Sequence, residues 1–360
     1  TNGTMVPVKV DEKYLLGPEG AHVNISGMSG LGTKTSTFLF LLSSIFTHSH
    51  ARVACIMFNI KSDDLLHIRA KSERLAQSDF AIYSSCKIKP RGFKARCFAP
   101  MNILNEANSL RKDANTFRWG YQEVKEFIPS LLKAGDQDQK EKLDTAFYEL
   151  KKMAGERGLK SFSELLEFMR RELIPEDRSP TELVRGSYKA TWIKLYNQLR
   201  GLETKYDGLT TAYEDEVVEL PYKELGNREI WVIDLQQLGF YPRKLVFEKV
   251  ISEFEALLES NKIKVDRIIL FMDELNKYAP SHNSPAVATL KSRLIDVSAR
   301  GRSIGFSLFG AEQFKSRVDQ NIMGNVSTDI YGKTKEAELL EPIYKKFSNE
   351  IKGKIMRFKK

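Results

Sequence analysis

The segment from Ile25 to Ser36 has the residue types and spacing of a phosphate-binding loop. It reads ISGMSGLGTKTS, and the residues in it that could contact phosphates are Gly27, Gly30, Gly32, Thr33, Lys34, Thr35 and Ser36. In such loops glycines let consecutive backbone N–H groups face a phosphate, and the N-terminus of the following helix adds its positive end. A lysine then bridges the terminal phosphates, and Lys34 is the residue of that type here. The segment predicts a nucleotide site.

The position of Lys34 departs from the usual spacing. A GxxxxGK[ST] pattern that starts at Gly27 has its second glycine at Gly32, so Thr33 stands where the lysine is expected. Either a one-residue bulge still brings Lys34 to phosphate and a following hydroxyl to Mg²⁺, or the site binds nucleotide weakly. A glycine turn with a solvated lysine is the structural alternative. The acidic pair described next argues against it.

Two adjacent carboxylates follow a strongly apolar run. In RIILFMDELNKYAP, Arg267 to Pro280, the run ends in Asp273 and Glu274. The carboxyl end of a central strand is where α/β sheets bind ligands. Asp273 would hold Mg²⁺ through its water shell, and Glu274 would polarise the water that attacks the γ-phosphate. The alternative is a solvated turn or a helix N-cap.

Polar residues follow other apolar runs. Gln313 ends GFSLFGAEQ and could contact the γ-phosphate or orient the attacking water, or it could be a surface glutamine. Asp63 and Asp64 end FNIKSDD and could position a lysine or a water, or cap a turn. Arg300 and Arg302 lie in a predicted polar turn before the Gln313 strand. Either guanidinium could reach a neighbouring subunit's phosphate, touch nucleic acid, or be an exposed arginine with no such role.

The elements that position these residues alternate between β-prone runs and helical patterns. The predicted strands are 22–26, 52–59, 95–99, 229–235, 267–272, 305–310 and 328–332. Several are apolar without alternation, as in strands buried on both faces, and 244–260 has the spacing of a crossover helix. The pattern predicts an α/β fold with a mostly parallel sheet.

The sequence pattern changes between about residues 105 and 208, where charge-rich helical segments replace the β-prone runs. Capping-box signatures at Ser161/Glu164 and Ser179/Glu182 predict helix starts. We therefore predict a core formed by residues 1–104 and 216–360, with a helical insertion at 105–215.

Composition places the chain among ordinary globular proteins. Its 360 residues suit two domains or one large domain with an insertion. The 56 Lys and Arg against 47 Asp and Glu give a net charge of +9, which is compatible with polyanionic partners. The longest apolar stretch, Phe38 to Phe46, is about half of the roughly 20 residues that span a bilayer. Cys55, Cys86 and Cys97 form no CxxC pair. This spacing argues against disulfides and a zinc site. No basic-then-apolar leader follows Thr1, so we expect a cytoplasmic protein without a membrane span.

Four segments in this order resemble the HerA/FtsK group of P-loop ATPases, nearest to the HerA-like proteins. They are HVNISGMSGLGTKTS, FNIKSDDLL, IILFMDELNKYAP and ARGRSIGFSLFGAEQ. The resemblance covers about residues 5–104 and 216–360. It implies a RecA-like core, a homo-oligomer, commonly a hexameric ring, and ATP hydrolysis with Mg²⁺ to move DNA.

Position by position, the resemblance implies roles for individual residues. Lys34 would contact phosphate, Thr35 and Asp273 would hold Mg²⁺, and Glu274 would be the general base. Gln313 would be the sensor, and Arg302 a finger acting on a neighbouring subunit.

Three functions are consistent with the sequence. The first is an ATP-driven DNA translocase or helicase subunit that works with a nuclease or another effector in repair or anti-phage defence. The second is an assembly or regulatory subunit that binds ATP and hydrolyses it weakly, which the late lysine suggests. The third is a secretion-type ATPase.

Overall fold

The computed structural model describes residues 8–18, 20–28, 33–61, 63–71, 73, 75–206 and 208–358. In these ranges the strands are β1 Val23–Ser26, β2 Val53–Asn59, β3 Lys94–Pro100, β4 Asn115–Phe117, β5 Leu183–Val184, β6 Ser187–Tyr188, β7 Glu229–Asp234, β8 Arg267–Asp273, β9 Phe306–Glu312 and β10 Thr328–Tyr331. The α-helices are α1 Lys13–Leu16, α2 Thr33–His48, α3 Gln77–Ser85, α4 Tyr121–Val124, α5 Ile128–Leu131, α6 Gln137–Arg157, α7 Phe162–Phe168, α8 Lys189–Lys205, α9 Phe240–Glu259, α10 Leu275–Tyr278, α11 Ala288–Ile304, α12 Gln320–Asn325, α13 Glu336–Leu339 and α14 Asn349–Met356.

Eight of these strands form one sheet in the order β10-β1-β9-β8-β2-β7-β3-β4. The β1–β9, β1–β10, β2–β8, β8–β9 and β3–β4 pairs are all parallel. The predicted α/β fold with a mostly parallel sheet is therefore confirmed. Each predicted strand is present. Strands β2, β7 and β9 are buried along their whole length, as expected for strands covered on both faces, whereas β10 is only partly buried.

Helix α2 packs its apolar side on the centre of this sheet. The Phe38 ring stacks on the Phe271 ring with centroids 3.9 Å apart and meets the Phe309 ring edge-on at 5.9 Å. These contacts place α2 over β8 and β9. They fix the start of α2, which carries Lys34, at the edge where parallel strands end.

The region after residue 105 contains helices but is not purely helical. The capping box of Ser161 and Glu164 is present at the start of α7, as predicted. The predicted helix start at Ser179 is wrong, because a turn leads there into the antiparallel hairpin β5–β6. Arg185 and Gly186 both have positive φ, the backbone conformation that closes a two-residue hairpin. Strand β4 also lies inside the predicted helical insertion.

The chain divides into two compact units. One contains 1–97, 221–233 and 252–360, and the other contains 98–220 and 234–251. The boundaries given above for a core and an insertion remain a prediction. The described part of the chain contains no helix that is both long enough and apolar enough to cross a membrane.

Candidate active site at the carboxyl ends of β1, β2, β8 and β9

The acidic pair lies at a sharp turn after β8. Asp273 is the last residue of β8, and Glu274 has φ 55° and ψ 43°, a left-handed conformation that is uncommon for a residue with a side chain. The Asp273 Oδ1 atom accepts a hydrogen bond of 2.9 Å from the Glu274 backbone N–H. This bond holds the turn between β8 and α10, so both carboxylates stay at the end of the strand.

Lys61 connects the two carboxylates. Its Nζ atom lies 3.2 Å from Asp273 Oδ2 and 2.5 Å from Glu274 Oε1. Lys277, one turn into α10, makes a second ion pair with Glu274. Burial raises the pKa of Glu274, but the Lys277 and Lys61 ammonium groups outweigh burial and hold that pKa below its usual value. Glu274 is therefore ionised at neutral pH, as a general base must be.

Lys34 lies in the first turn of α2 and is buried. Its Nζ atom donates a hydrogen bond of 3.2 Å to the Gly27 carbonyl oxygen. Burial lowers the pKa of Lys34, while the carboxylates of Asp273, Glu312 and Glu274 counteract part of that effect. The same ammonium group is thus within electrostatic range of the predicted magnesium ligand, Asp273, and the predicted base, Glu274.

The start of the glycine segment is fixed between two strand ends. The Gly27 N–H donates to the Glu312 carbonyl oxygen at 3.1 Å, and the Met28 N–H donates to the Lys333 carbonyl oxygen at 2.8 Å. A Cβ atom at Gly27 would lie 3.2 Å from the Cα atom of Gly332, so the backbones approach closely there. Glycine suits this position because it has no side chain to accommodate.

The structure describes only some of the other residues that were predicted to contact phosphate. Gly30 and Gly32 lie outside the described residues, and of Thr33 only its place at the start of α2 is described. Thr35 is partly exposed and Ser36 is exposed, both in the first turn of α2. A helix N-terminus beside a lysine is the arrangement that binds phosphates in proteins.

Gln313 and Arg302 occupy opposite ends of β9. Gln313 is partly exposed and directly follows the strand, at the same edge of the sheet as Asp273. Arg302 is exposed and lies in the last turn of α11, which continues to Ile304, so the turn predicted around it is helical. Because α11 leads into the amino end of β9, Arg302 lies at the other edge of the sheet.

Asp63, which follows β2, contacts His67 and not the acidic pair. The Asp63 carboxylate lies 3.2 Å from Nε2 of His67, four residues on, and both side chains are exposed. Lys61 from the same segment enters the site instead. The position of Lys61 after β2 could have indicated a site residue. Only the pairing of β2 with β8 shows that Lys61 lies beside Asp273.

Glu312 is a further acid that the sequence interpretation missed. It ends β9 and is fully buried, and burial raises its pKa to about 8, against the opposing effects of the Asn24 amide and the Lys315 ammonium group. Lys315 is also buried and its Nζ atom lies 2.5 Å from Asp329 Oδ1. The available signal was an acid at the end of an otherwise apolar run.

The donor set at this edge fits a magnesium ion that accompanies a nucleotide. Mg²⁺ is usually bound through one or two carboxylates together with substrate phosphates and waters. Asp273 supplies a carboxylate that is 19% exposed and already contacts a cationic group, the Lys61 ammonium. Thr35 supplies a hydroxyl in the first turn of the helix that follows the glycine segment.

Solved structures with a similar fold share little sequence with this chain. VirB4 of Thermoanaerobacter pseudethanolicus has a TM-score of 0.55 at 17% identity, over 94% of this chain and 85% of that chain. The bacterial conjugative coupling protein TrwB has TM-scores of 0.46 at 14% identity unbound and 0.48 at 13% with ADP and Mg²⁺. These cover 84% and 85% of this chain, and 67% and 68% of the TrwB chains.

The likeness to VirB4 shows the fold, which is a RecA-like P-loop NTPase core. It does not single out the HerA-like proteins within the HerA/FtsK group. No protein-family model matches the chain, and none of the curated proteins matches it either.

Proposed function

We propose that this protein is a P-loop ATPase that hydrolyses ATP with Mg²⁺. The observation that carries the proposal is the convergence of Lys34, Asp273 and Glu274 beside the glycine segment. One ammonium group and two ionisable carboxylates at the end of parallel strands are the groups that phosphoryl transfer to water requires. Their residue types and positions match the roles that the resemblance implies.

Each residue has one task in this mechanism. Lys34 and the N-terminus of α2 would bind the β- and γ-phosphates. Asp273 with Thr35 would hold a magnesium ion, which would supply neutralisation of charge on the phosphates. Glu274 accepts a proton from the attacking water, for which its lowered pKa is suited. Gln313, just beyond β9, contacts the γ-phosphate or orients that water.

Arg302 is proposed to act on a neighbouring subunit. It is exposed, and it lies at the edge of the sheet opposite Lys34, so it cannot serve the site of its own chain. A guanidinium supplied by a neighbour stabilises transition-state charge in many P-loop ATPases. This role requires a homo-oligomer, for which we propose a hexameric ring.

We propose transport of DNA as the purpose of ATP hydrolysis. The excess of basic residues suits a polyanionic cargo, and the resemblance of the sequence to the HerA/FtsK group implies movement of DNA. A HerA-like helicase that works with a nuclease or other effector, in repair or anti-phage defence, is the narrower form of this proposal. A secretion-type ATPase with a protein or protein–DNA cargo is its main competitor, and it would need no basic pore.

A weakly hydrolysing assembly or regulatory subunit is a second candidate function. Two observations favour it: Lys34 stands one residue late in the loop, and Lys277 and Lys61 both pair with the proposed base. Such a subunit would bind ATP and assemble without sustained turnover.

ATP turnover, measured with and without double-stranded DNA at several salt concentrations, tests these proposals. A DNA-transport ATPase should be stimulated by DNA, and the stimulation should fall steeply with salt because counterions are released on binding. Turnover that ignores DNA favours the secretion-type alternative. Tight ATP binding and ATP-dependent assembly without turnover favour the regulatory subunit, and absence of nucleotide binding contradicts all three.

A further inference from the structure

Lys61 reaches the active-site acids because of the strand order. Strand β2 runs parallel to β8, with Val53 opposite Arg267 and Met57 opposite Phe271. Parallel neighbours end at the same edge of the sheet, so the residues after β2 lie beside the residues that end β8. Lys61 therefore arrives next to Asp273 from a different part of the chain.

The contacts of Lys61 involve both acids at once. Its ammonium group is 3.2 Å from Asp273 Oδ2 and 2.5 Å from Glu274 Oε1, and its side chain is 39% exposed. Lys277 differs, because it pairs with Glu274 and belongs to the helix that follows directly. Lys61 is the cation that joins the proposed metal ligand to the proposed base.

The position of this ammonium group conflicts with a magnesium ion on Asp273. A cation that takes Asp273 Oδ2 as a ligand competes with Lys61 for that oxygen atom, since Oδ1 accepts the Glu274 N–H. Lys61 also contributes to lowering the pKa of Lys34, so the two ammonium groups are near enough to repel each other. A lysine released from Asp273 therefore remains beside the place where Lys34 would meet the terminal phosphate.

We propose that Lys61 is a displaceable counter-ion that becomes a γ-phosphate ligand. Without nucleotide it pairs with Asp273 and Glu274, and with magnesium nucleotide bound it leaves Asp273 and contacts the terminal phosphate. This inference rests on the proposed nucleotide-binding function. It assigns a catalytic residue to the segment after β2, where the sequence interpretation considered only the aspartates.

The test compares the binding of fluorescently labelled ADP and of a labelled non-hydrolysable ATP analogue, each in Mg²⁺ and in EDTA. The chain variants are wild type, Lys61→Met, Lys61→Arg and Lys277→Met. Lys262→Met is the matched control, because Lys262 is exposed and precedes the amino end of β8.

The result is expressed as two affinity ratios: ADP affinity in Mg²⁺ against EDTA, and affinity for the triphosphate analogue against ADP. In Lys61→Met, the gain in ADP affinity on adding Mg²⁺ should grow, because the competing ammonium is gone. The preference for the triphosphate analogue over ADP should shrink, because a phosphate ligand is lost. Each change should be about 10- to 100-fold, as for a hydrogen bond to a charged group. Lys61→Arg should keep most of the triphosphate preference.

Lys277→Met should change the magnesium ratio less than Lys61→Met, and Lys262→Met should change neither ratio. Unchanged ratios in Lys61→Met would overturn the proposal, and so would a change in only one of them, since displacement requires one ammonium group to serve both positions. A wild type that binds no labelled nucleotide would instead refute the proposed function and this inference together.

Discussion

Two clusters of acids and lysines lie at the same edge of the sheet and differ in their access to solvent. The first consists of Asp273 and Glu274 with Lys61, whose side chain is 39% exposed. The second consists of Glu312 and Asp329 with Lys315, whose side chain is 3% exposed. We call them the open cluster and the closed cluster.

The difference shows that similar residue types serve different purposes according to burial. In the open cluster, cations can exchange at the carboxylates, and Lys61 and Lys277 hold the pKa of Glu274 down. In the closed cluster, burial raises the pKa of Glu312 to about 8, which favours its neutral form. We therefore expect changes in the open cluster to affect chemistry and changes in the closed cluster to affect stability.

The largest expected effect is on turnover. Glu274→Gln should lower the rate of ATP hydrolysis by roughly 10²- to 10⁴-fold, because it removes the general base. Binding of labelled nucleotide should be retained, since the amide keeps the shape of the side chain. Glu336→Gln, in an exposed residue of α13, is the control for a lost carboxylate. Wild-type turnover in Glu274→Gln would show that the open cluster is not catalytic.

The next effect is on stability and belongs to the closed cluster. Lys315→Met should lower the free energy of unfolding by about 3–5 kcal/mol, because it leaves Asp329 without its buried partner. Lys346→Met is a matched control, since Lys346 is 61% exposed and lies 3.8 Å from the same carboxylate. That control should cost about 1 kcal/mol or less. Urea unfolding monitored by circular dichroism measures both, and equal losses would remove the distinction by burial.

The pH dependence of stability tests the raised pKa of Glu312. The folded chain keeps the proton up to about pH 8, whereas an unfolded glutamate loses it near its ordinary pKa of 4.5. The contribution of Glu312 to stability is therefore complete below the unfolded pKa and is lost as pH rises towards 8. Glu312→Gln lacks this loss.

The stability of Glu312→Gln relative to wild type should accordingly increase between pH 5 and pH 8, by about 2–4 kcal/mol. Urea unfolding at four pH values measures the difference. A constant difference across this range would indicate that Glu312 is ionised in the folded protein.

The smallest expected effect is on the stability of the chain when the open cluster is changed. Lys61→Met should change the free energy of unfolding by about 1 kcal/mol or less, because Lys61 is partly exposed and Lys277 still pairs with Glu274. The same lysine-to-methionine change in the closed cluster should cost several times more. A loss in Lys61→Met as large as that in Lys315→Met would show that the open cluster also stabilises the fold.

Much of the fold could be predicted from the sequence, because long apolar runs such as Arg267–Asp273 have few alternatives to a buried strand. Short or polar elements could not. The strand Asn115–Phe117 has no pattern of its own and depends on pairing with β3. A capping signature at Ser179 predicted a helix, but the chain that follows forms the hairpin β5–β6. Arg185 and Gly186, both with positive φ, form the turn of that hairpin.

The candidate site divides in the same way. Lys34, Asp273 and Glu274 could be identified because each belongs to a local motif, a glycine segment or a strand end, that has a chemical meaning by itself. Arg302 could be identified as a candidate, but the turn predicted around it is the last turn of α11, and its edge of the sheet could not be predicted. The roles of Lys61, Lys315 and Glu312 could not be assigned. Asp273 is 212 residues from Lys61, and although Asp329 is only 14 residues from Lys315, no local motif links them.

The sequence alone determined which residues carry the phosphate-binding and acidic motifs and that a parallel sheet would present them at strand ends. That information is local, since apolar periodicity and glycine spacing act over a few residues. Only the tertiary structure decided that β2 lies beside β8, which brings Lys61 onto Asp273, and that Glu312 is sealed from water. Strand order and solvent exclusion arise from contacts between distant segments, and no local pattern encodes them.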